Sequence, residues 1–482
     1  MNRTGKLLSA VAGAALMCCA ASPAQAQDAT DELLLRLKEK GILASDEYDA
    51  LVARKSTQPA TAPAAPVATG QPTVNAAVAQ GEATQQAAAE RLDDKKMVRM
   101  TDSGVGLMVG DVALKFSGSI NGFYVHDSGD RAIPANTVAG GLATVGNKSS
   151  SIRNGLLPGF LKVEVSTTQG GWDVGAHFGL YPGINSNLGN AGANGGGSPA
   201  ALQTSGIDAR QTYLTFGRAN FGEVKIGRDI GLFGSDAILN DITLLAVGTA
   251  SGNAAPSNTS LGRIGLGYIY TDFQPQITYS SPKFGGLQVS GGIFQPLTTV
   301  GFSEVNDSPG FQAKVTYDMV PVDGGFGVHA WLSGLVQKHD ATVLLPEYTG
   351  KALDLGAKLS YANASLTGYY YTGSGVGTIG LFLLSTDALG RKRDSDGFYV
   401  QGTLGFGKFT AGASYGQSNL DRADGEAISN LVRRNSSYVG QLRYGLTSWV
   451  TLIGEYTHTM SKSHNGNDAD SDALAAGAIL FF

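Results

Sequence analysis

The residues able to do acid–base, nucleophilic or metal chemistry are few and scattered. The six histidines are His126, His177, His329, His339, His458 and His464. None sits in a local signature: no HExxH spacing puts two imidazoles on one metal, and no surrounding motif makes one the base of a hydrolytic triad. The stretch Gly373-Ser374-Gly375-Val376-Gly377 lacks the strand-turn-helix context of a phosphate cradle and reads as a turn. The two cysteines, Cys18 and Cys19, lie in a segment expected to be removed on export. A mature chain then has no disulfide, thiolate metal site or cysteine nucleophile. Net charge is −5 with a pI near 5.7, which gives no basic surplus for nucleic acid. No cofactor is implied. The chemistry that remains is electrostatic, carried by the placement of charged side chains along the sequence.

Those charges follow a period of two. Lys115, Lys162, Glu164, Asp173, His177, Glu223, Lys225, Lys314, Asp354, Lys358, Arg443 and Glu455 stand at the parity opposite to neighbouring Val, Leu and Phe. Val112, Leu114, Phe116, Ile120 and Tyr124, for example, share one parity, and Lys115, Ser117, Ser119 and Asn121 the other. Alternation of this kind marks strands with one apolar and one polar face. If the apolar face meets lipid, the charged face lines a lumen. Arg228 breaks the rule by sharing parity with Val224 and Ile226; a loop turning inward at the strand's end would re-aim it. Arg210 is ambiguous, with a subunit interface as its other reading.

The elements that must position these residues begin at about Asp111. Sixteen strands are expected, near 112–125, 158–168, 171–181, 208–217, 221–228, 274–283, 285–295, 309–319, 324–336, 352–361, 364–373, 395–406, 408–418, 435–445, 448–460 and 472–482. Their connections alternate between long and short throughout. A soluble sandwich has no reason to place every long connection at one end. A transmembrane barrel does, with short periplasmic turns and long extracellular loops, and a closed barrel satisfies every backbone group in lipid. The fold expected is therefore all-β: a 16-stranded antiparallel transmembrane β-barrel over 103–482.

Composition agrees. Charged residues are only 16% of the chain and glycines number 67, a charge-poor, Gly-rich balance unlike that of ordinary soluble domains. Residues 1–26 read as a signal peptide: Arg3 and Lys6, an apolar stretch from Leu7 to Ala21, then Ala24-Gln25-Ala26. Residues 27–55 read as a short helical extension with a Leu33, Leu34, Leu37 stripe, either a hairpin packed on itself or a small self-association module. Residues 56–102 read as an Ala/Pro-rich linker.

The last strand, Ala473 to Phe482, ends on an aromatic carboxy-terminal residue. Together with Arg210 to Gly217 and Phe221 to Arg228 it resembles the general porins of the Gram-negative outer membrane. The helical segment, with Lys38 to Leu51, resembles periplasmic extensions of some specialised porins, which general porins lack. The resemblance implies an aqueous channel, a homotrimer, outer-membrane lipid as surroundings, and recognition of Phe482 by the barrel-assembly machinery. It also implies that the third long loop folds into the lumen. Here that connection runs from Asp229 to about Phe273 and is rich in Leu and Ile, as a segment packed inside a barrel would be.

Two functions fit: a diffusion channel for small hydrophilic solutes, or a structural or adhesive barrel tethered through its extension. An enzyme does not. For the channel, the resemblance implies a transverse field in which loop acids Asp229, Asp236 and Asp241 oppose wall bases. Arg228 and Arg263 flank that loop and tip the expectation toward weak anion preference, with small carboxylates as solutes.

Overall fold

Sixteen alternating segments become sixteen antiparallel barrel strands. The computed structural model describes residues 98–101, 104–188, 195–320 and 325–482. The expected signal peptide, helical extension and nearly all of the linker lie outside them. In chain order the strands are β1 (Val98–Met100), β2 (Val105–Val109), β3 (Val112–Gly129), β4 (Ser149–Arg153), β5 (Phe160–Gln169), β6 (Trp172–Ser186), β7 (Ser205–Arg218) and β8 (Gly222–Ile230). A short helix α1 (Ser235–Asn240) follows, then β9 (Phe273–Ser280), β10 (Leu287–Phe294), β11 (Gly310–Met319), β12 (Phe326–His339), β13 (Tyr348–Tyr361) and β14 (Ala364–Ser374). The series closes with β15 (Asp394–Phe406), β16 (Phe409–Leu420), β17 (Val432–Gly445), β18 (Val450–Ser463) and β19 (Asp468–Phe481).

The barrel is β3 with β5 to β19, each hydrogen-bonded to its neighbour, and β19 closes it by pairing with β3 from Ser471↔Gly129 to Phe481↔Ser119. Closure leaves no edge. Phe482 continues the seam: its N–H and carbonyl exchange bonds with Gly118, each 3.1 Å.

Among the described residues three short strands lie outside the sixteen. β1 and β2 form a hairpin on the start of β3, so Val98–Met100, placed by sequence in the linker, join the sheet. β4 pairs with the far end of β3. The last long connection, expected over 461–471, is only His464 to Asn467, because β18 and β19 run on past the apolar band as a paired ribbon. Their polar ends, Ser461 to Ser463 and Asp468 to Asp472, pair as well as apolar residues do, and hydropathy does not reveal them. Short turns at the other end use residues of matching backbone freedom. Gly170 and Gly171 both have positive φ, 57° and 78°, as a tight hairpin loop between twisted strands requires.

The outward face is apolar. Ile120, Leu161, Phe178, Leu214, Ile277, Val289, Phe311, Leu332, Leu353, Leu366, Leu442 and Leu474 are all exposed. Aromatic residues bound this band at both ends. Near the short turns Trp172 meets Phe221 (5.5 Å), Phe221 meets Tyr279 (5.6 Å) and Phe409 meets Tyr444 (4.8 Å). Nearer the long connections Tyr415 meets Phe398 (6.0 Å) and Tyr438 (4.7 Å). Such paired girdles around an apolar band suit two membrane interfaces.

Candidate functional site

The connection between β8 and β9 leaves the wall at Ile230 and returns at Phe273. Between those points it is fastened to inward-facing side chains of distant strands. Gln312 on β11 accepts from the Leu232 and Phe233 amides at 2.8 and 2.9 Å. Asp354 on β13 accepts from the Gly234 amide at 2.9 Å, and Tyr399 on β15 donates to the Ala237 carbonyl at 2.9 Å. Gln401 accepts from Ile242 N–H (2.9 Å), and Arg443 on β17 donates to the Ile242 carbonyl (2.9 Å). Glu455 on β18 accepts from the Val247 and Gly248 amides at 3.0 and 2.6 Å. On the near side, Arg153 at the end of β4 donates to the Thr259 carbonyl at 2.7 Å. The connection therefore lies within the barrel, held mainly against β11 to β18.

Apolar burial adds to these bonds. Phe233, Ala237, Tyr268 and Ile269 are fully buried with Trp331, Tyr369, Tyr371 and Tyr399 of the wall. Ala246 and Val247 pack with Phe123, Val125 and Ile453. Each large buried side chain contributes roughly 1.5–3 kcal/mol relative to exposure. A second long connection, 375–393, joins this mass: Tyr270 N–H donates to Ile379 carbonyl at 2.7 Å.

The loop mass does not fill the barrel on the side of β5 to β8. A cavity of about 560 Å³ remains there. Its loop side carries Ile238, Leu239, Leu244, Leu261, Ile379 and Leu383; its wall side carries Phe160, Lys162, Tyr181, Arg210, Asp229 and Phe273. Arg210 reaches it through a β-bulge. Gly179 pairs with Gln211 while Leu180 pairs with Ala209, so Arg210 is the extra residue that a bulge re-aims. Its guanidinium lies 5.1 Å from the Tyr181 ring centroid and 2.9 Å from Asp208. Asp229 is ion-paired with Lys225 and accepts from Gln211 at 2.8 Å. Lys162 Nζ lies 5.3 Å from the Phe160 ring centroid and has no carboxylate partner among the described residues. A second space of about 820 Å³, toward the short-turn end, gathers Lys115, Glu164, Asp173, His177 and Glu223.

A model of the Gram-negative porin family matches residues 61–465. The chain belongs to the Gram-negative porins. The chain is also similar to solved structures, one of which shares its fold by TM-score. The outer membrane channel DcaP of Acinetobacter baumannii is 14% identical over 80% of this chain and 99% of its own, with a TM-score of 0.56. The trimer form of OmpT of Vibrio cholerae (14% identity, 77% and 99% coverage) and Salmonella typhi OmpF in complex with daunomycin (13%, 77% and 98%) give TM-scores of 0.47 and 0.48. No curated protein matches. This porin is thus an outer-membrane β-barrel.

Within the porin barrel, the alternation places Lys115, Lys162, Glu164, Lys225, Lys314, Lys358 and Arg443 on inward-facing register positions. Two arginines given weight from sequence stand elsewhere. Arg228 pairs with Thr212 and Pro275 in an unbroken ladder, so it keeps the outward parity of Val224 and Ile226. No inward turn re-aims it, because the chain leaves the wall only after Ile230. Arg263 is fully buried, donating to Ser437 Oγ at 3.1 Å with Asp241 3.9 Å away. It fixes the loop to β17 and does not meet the passage.

The loop acids are likewise spent on the wall. Asp236 binds Lys314 at 2.7 Å and His329 at 3.1 Å. Asp241 accepts from its own Thr243 amide (3.0 Å) and from Tyr268 (2.9 Å). Of the three, Asp229 alone lines the cavity, and from the wall side. The transverse field implied by resemblance is absent in that form: the loop presents aliphatic carbons where acids were expected. Sequence reasoning gave no role to Gln312, Gln401 or Gln441, whose amides cap loop backbone groups. Glutamine at inward parity among charged neighbours was the available signal.

Proposed function

We propose that this porin is a water-filled channel for passive diffusion of small hydrophilic solutes across the outer membrane, narrowed by the connection 231–272. The observation that carries the reading is the fastening of that connection to inward side chains on β11 to β18, which leaves a cavity against β5 to β8. A barrel of this strand number is wide enough for an aqueous lumen. A loop so anchored reduces it to a smaller, fixed aperture. The barrel works as a channel and not as an enzyme, as a homotrimer in lipid, with Phe482 read by the assembly machinery and residues 27–55 as a periplasmic segment after signal cleavage.

Selectivity is set where low-dielectric walls focus the field. At the cavity Arg210 is balanced by Asp208 and Lys225 by Asp229, leaving Lys162. Weak anion preference follows, carried by Lys162 in place of Arg228 and Arg263. Planar-bilayer recording tests the proposal. Stepwise conductance in potassium chloride, with a reversal potential of anion-preferring sign in a salt gradient, is expected. A purified, folded barrel that passes no current is the result a structural or adhesive role demands.

A further inference from the structure

The two sides of the aperture differ in kind. The loop side is aliphatic, and Leu239 on α1 is 57% exposed toward open space, an orientation that costs free energy in water. Leu244, beside it, is half-buried. The wall side stacks aromatic rings around cations: Tyr181 meets Phe160 at 5.8 Å and Phe273 at 6.0 Å, and Lys162 and Arg210 lie against these rings. A hydrated inorganic ion uses the cations and nothing else here. An organic anion with a flat apolar body would use both sides: carboxylate on Lys162, body between the Leu239–Leu244 shelf and the rings. Pockets for small molecules have this composition, mostly apolar with a few placed polar groups.

We infer that the aperture is a binding site for organic monocarboxylates with an aromatic or compact apolar body, which it passes in preference to hydroxylated carboxylates of the same charge. The inference rests on the proposed channel and narrows its solute class. The aliphatic shelf supplies the discrimination, since charge alone treats all monocarboxylates alike. Arg210, its charge balanced by Asp208, lies against the Tyr181 and Phe273 rings.

The test uses the full-length channel in planar bilayers with potassium salts of benzoate and of threonate, a hydroxylated acid of similar mass. Reversal potentials against chloride give each permeability ratio, and benzoate added to potassium chloride reads binding as block of chloride current. The benzoate ratio is expected to exceed the threonate ratio several-fold, with concentration-dependent block by benzoate only. Leu239→Asn, which keeps the branched heavy-atom shape but is polar, is expected to lower the benzoate ratio toward that of threonate. Lys162→Gln is expected to lower both ratios and shift preference toward potassium. Arg228→Gln, on the outward face, serves as the control that keeps both ratios. Equal ratios for the two anions in wild type, or a benzoate ratio unmoved by Leu239→Asn, overturn the inference while leaving the channel intact. Absence of any current in potassium chloride instead defeats the channel reading itself.

Discussion

Lys314 Nζ on β11 stands 2.7 Å from Asp236 on α1, two residues 78 positions apart whose pairing turns the loop's first acid toward the wall and away from the passage. His329 on β12 closes on the same carboxylate at 3.1 Å and on Asp318 at 2.7 Å. The partners are largely shielded from solvent, so removing one leaves another charge poorly compensated. Lys314→Gln is expected to loosen α1 without unfolding the barrel. Amide exchange over 232–245 should rise while β13 to β18 stay protected. Uniform exchange in both variant and wild type would show that the pair holds nothing.

Phe233 is a large apolar anchor of the same loop, fully buried in the cluster with Trp331 and Tyr399. Phe233→Ala is expected to destabilise the loop-in state by about 3–5 kcal/mol, the usual cost of emptying a packed aromatic site. Open-channel current noise should increase and protease should cut between Ser235 and Ala246. A variant as quiet and as resistant as wild type contradicts the packing described.

The connections 375–393 and 421–431 are joined by Arg393 and Glu426, whose carboxylate accepts from Arg393 Nε at 2.9 Å and from the Ala423 amide at 2.9 Å. The Arg393 bond holds the Glu426 carboxyl below the usual glutamate range, although burial opposes this. A depressed folded-state pKa gives stability that is complete above the unfolded value, about 4.3, and is lost as pH falls through the folded value. Loop protection should therefore be flat from pH 7 to pH 5 and decline only in stronger acid. Glu426→Gln should be less protected at neutral pH and lose that acid dependence; an unchanged acid profile would rule the pair out.

Residues 27–97 precede the barrel, and the seam is closed by β3, β19 and Phe482 without them. Their deletion is expected to leave a barrel that inserts and conducts, read by heat-modifiable mobility in gels and by bilayer recording. Failure to insert would assign the extension a part in folding. The cut must spare Val98–Met100, which pair with β2.

The barrel was legible because each strand writes its two environments alternately: Leu161, Val163 and Val165 outward, Lys162 and Glu164 inward. The short ribbon of β18 and β19 was not, since its buried face is made of Ser461, Ser463, Ala469 and Ser471, small or polar residues that leave no hydropathy alternation. At the site, parity placed Lys162 and Lys225 but could not place Arg210, because a bulge shifts register without a mark in composition. Loop charges were least legible. Asp236, Asp241 and Arg263 look like pore residues until their wall partners, up to 174 positions away, are known.

Single-channel conductance of a channel lacking Ser235 to Ala246 tests the central claim most directly. The segment carries α1 and the bonds to Tyr399, Gln401 and Arg443. Removing it from a barrel that still assembles should raise conductance several-fold above wild type and weaken the preference for anions. Conductance equal to that of wild type, in a barrel shown to be folded, would mean that this loop does not set the aperture.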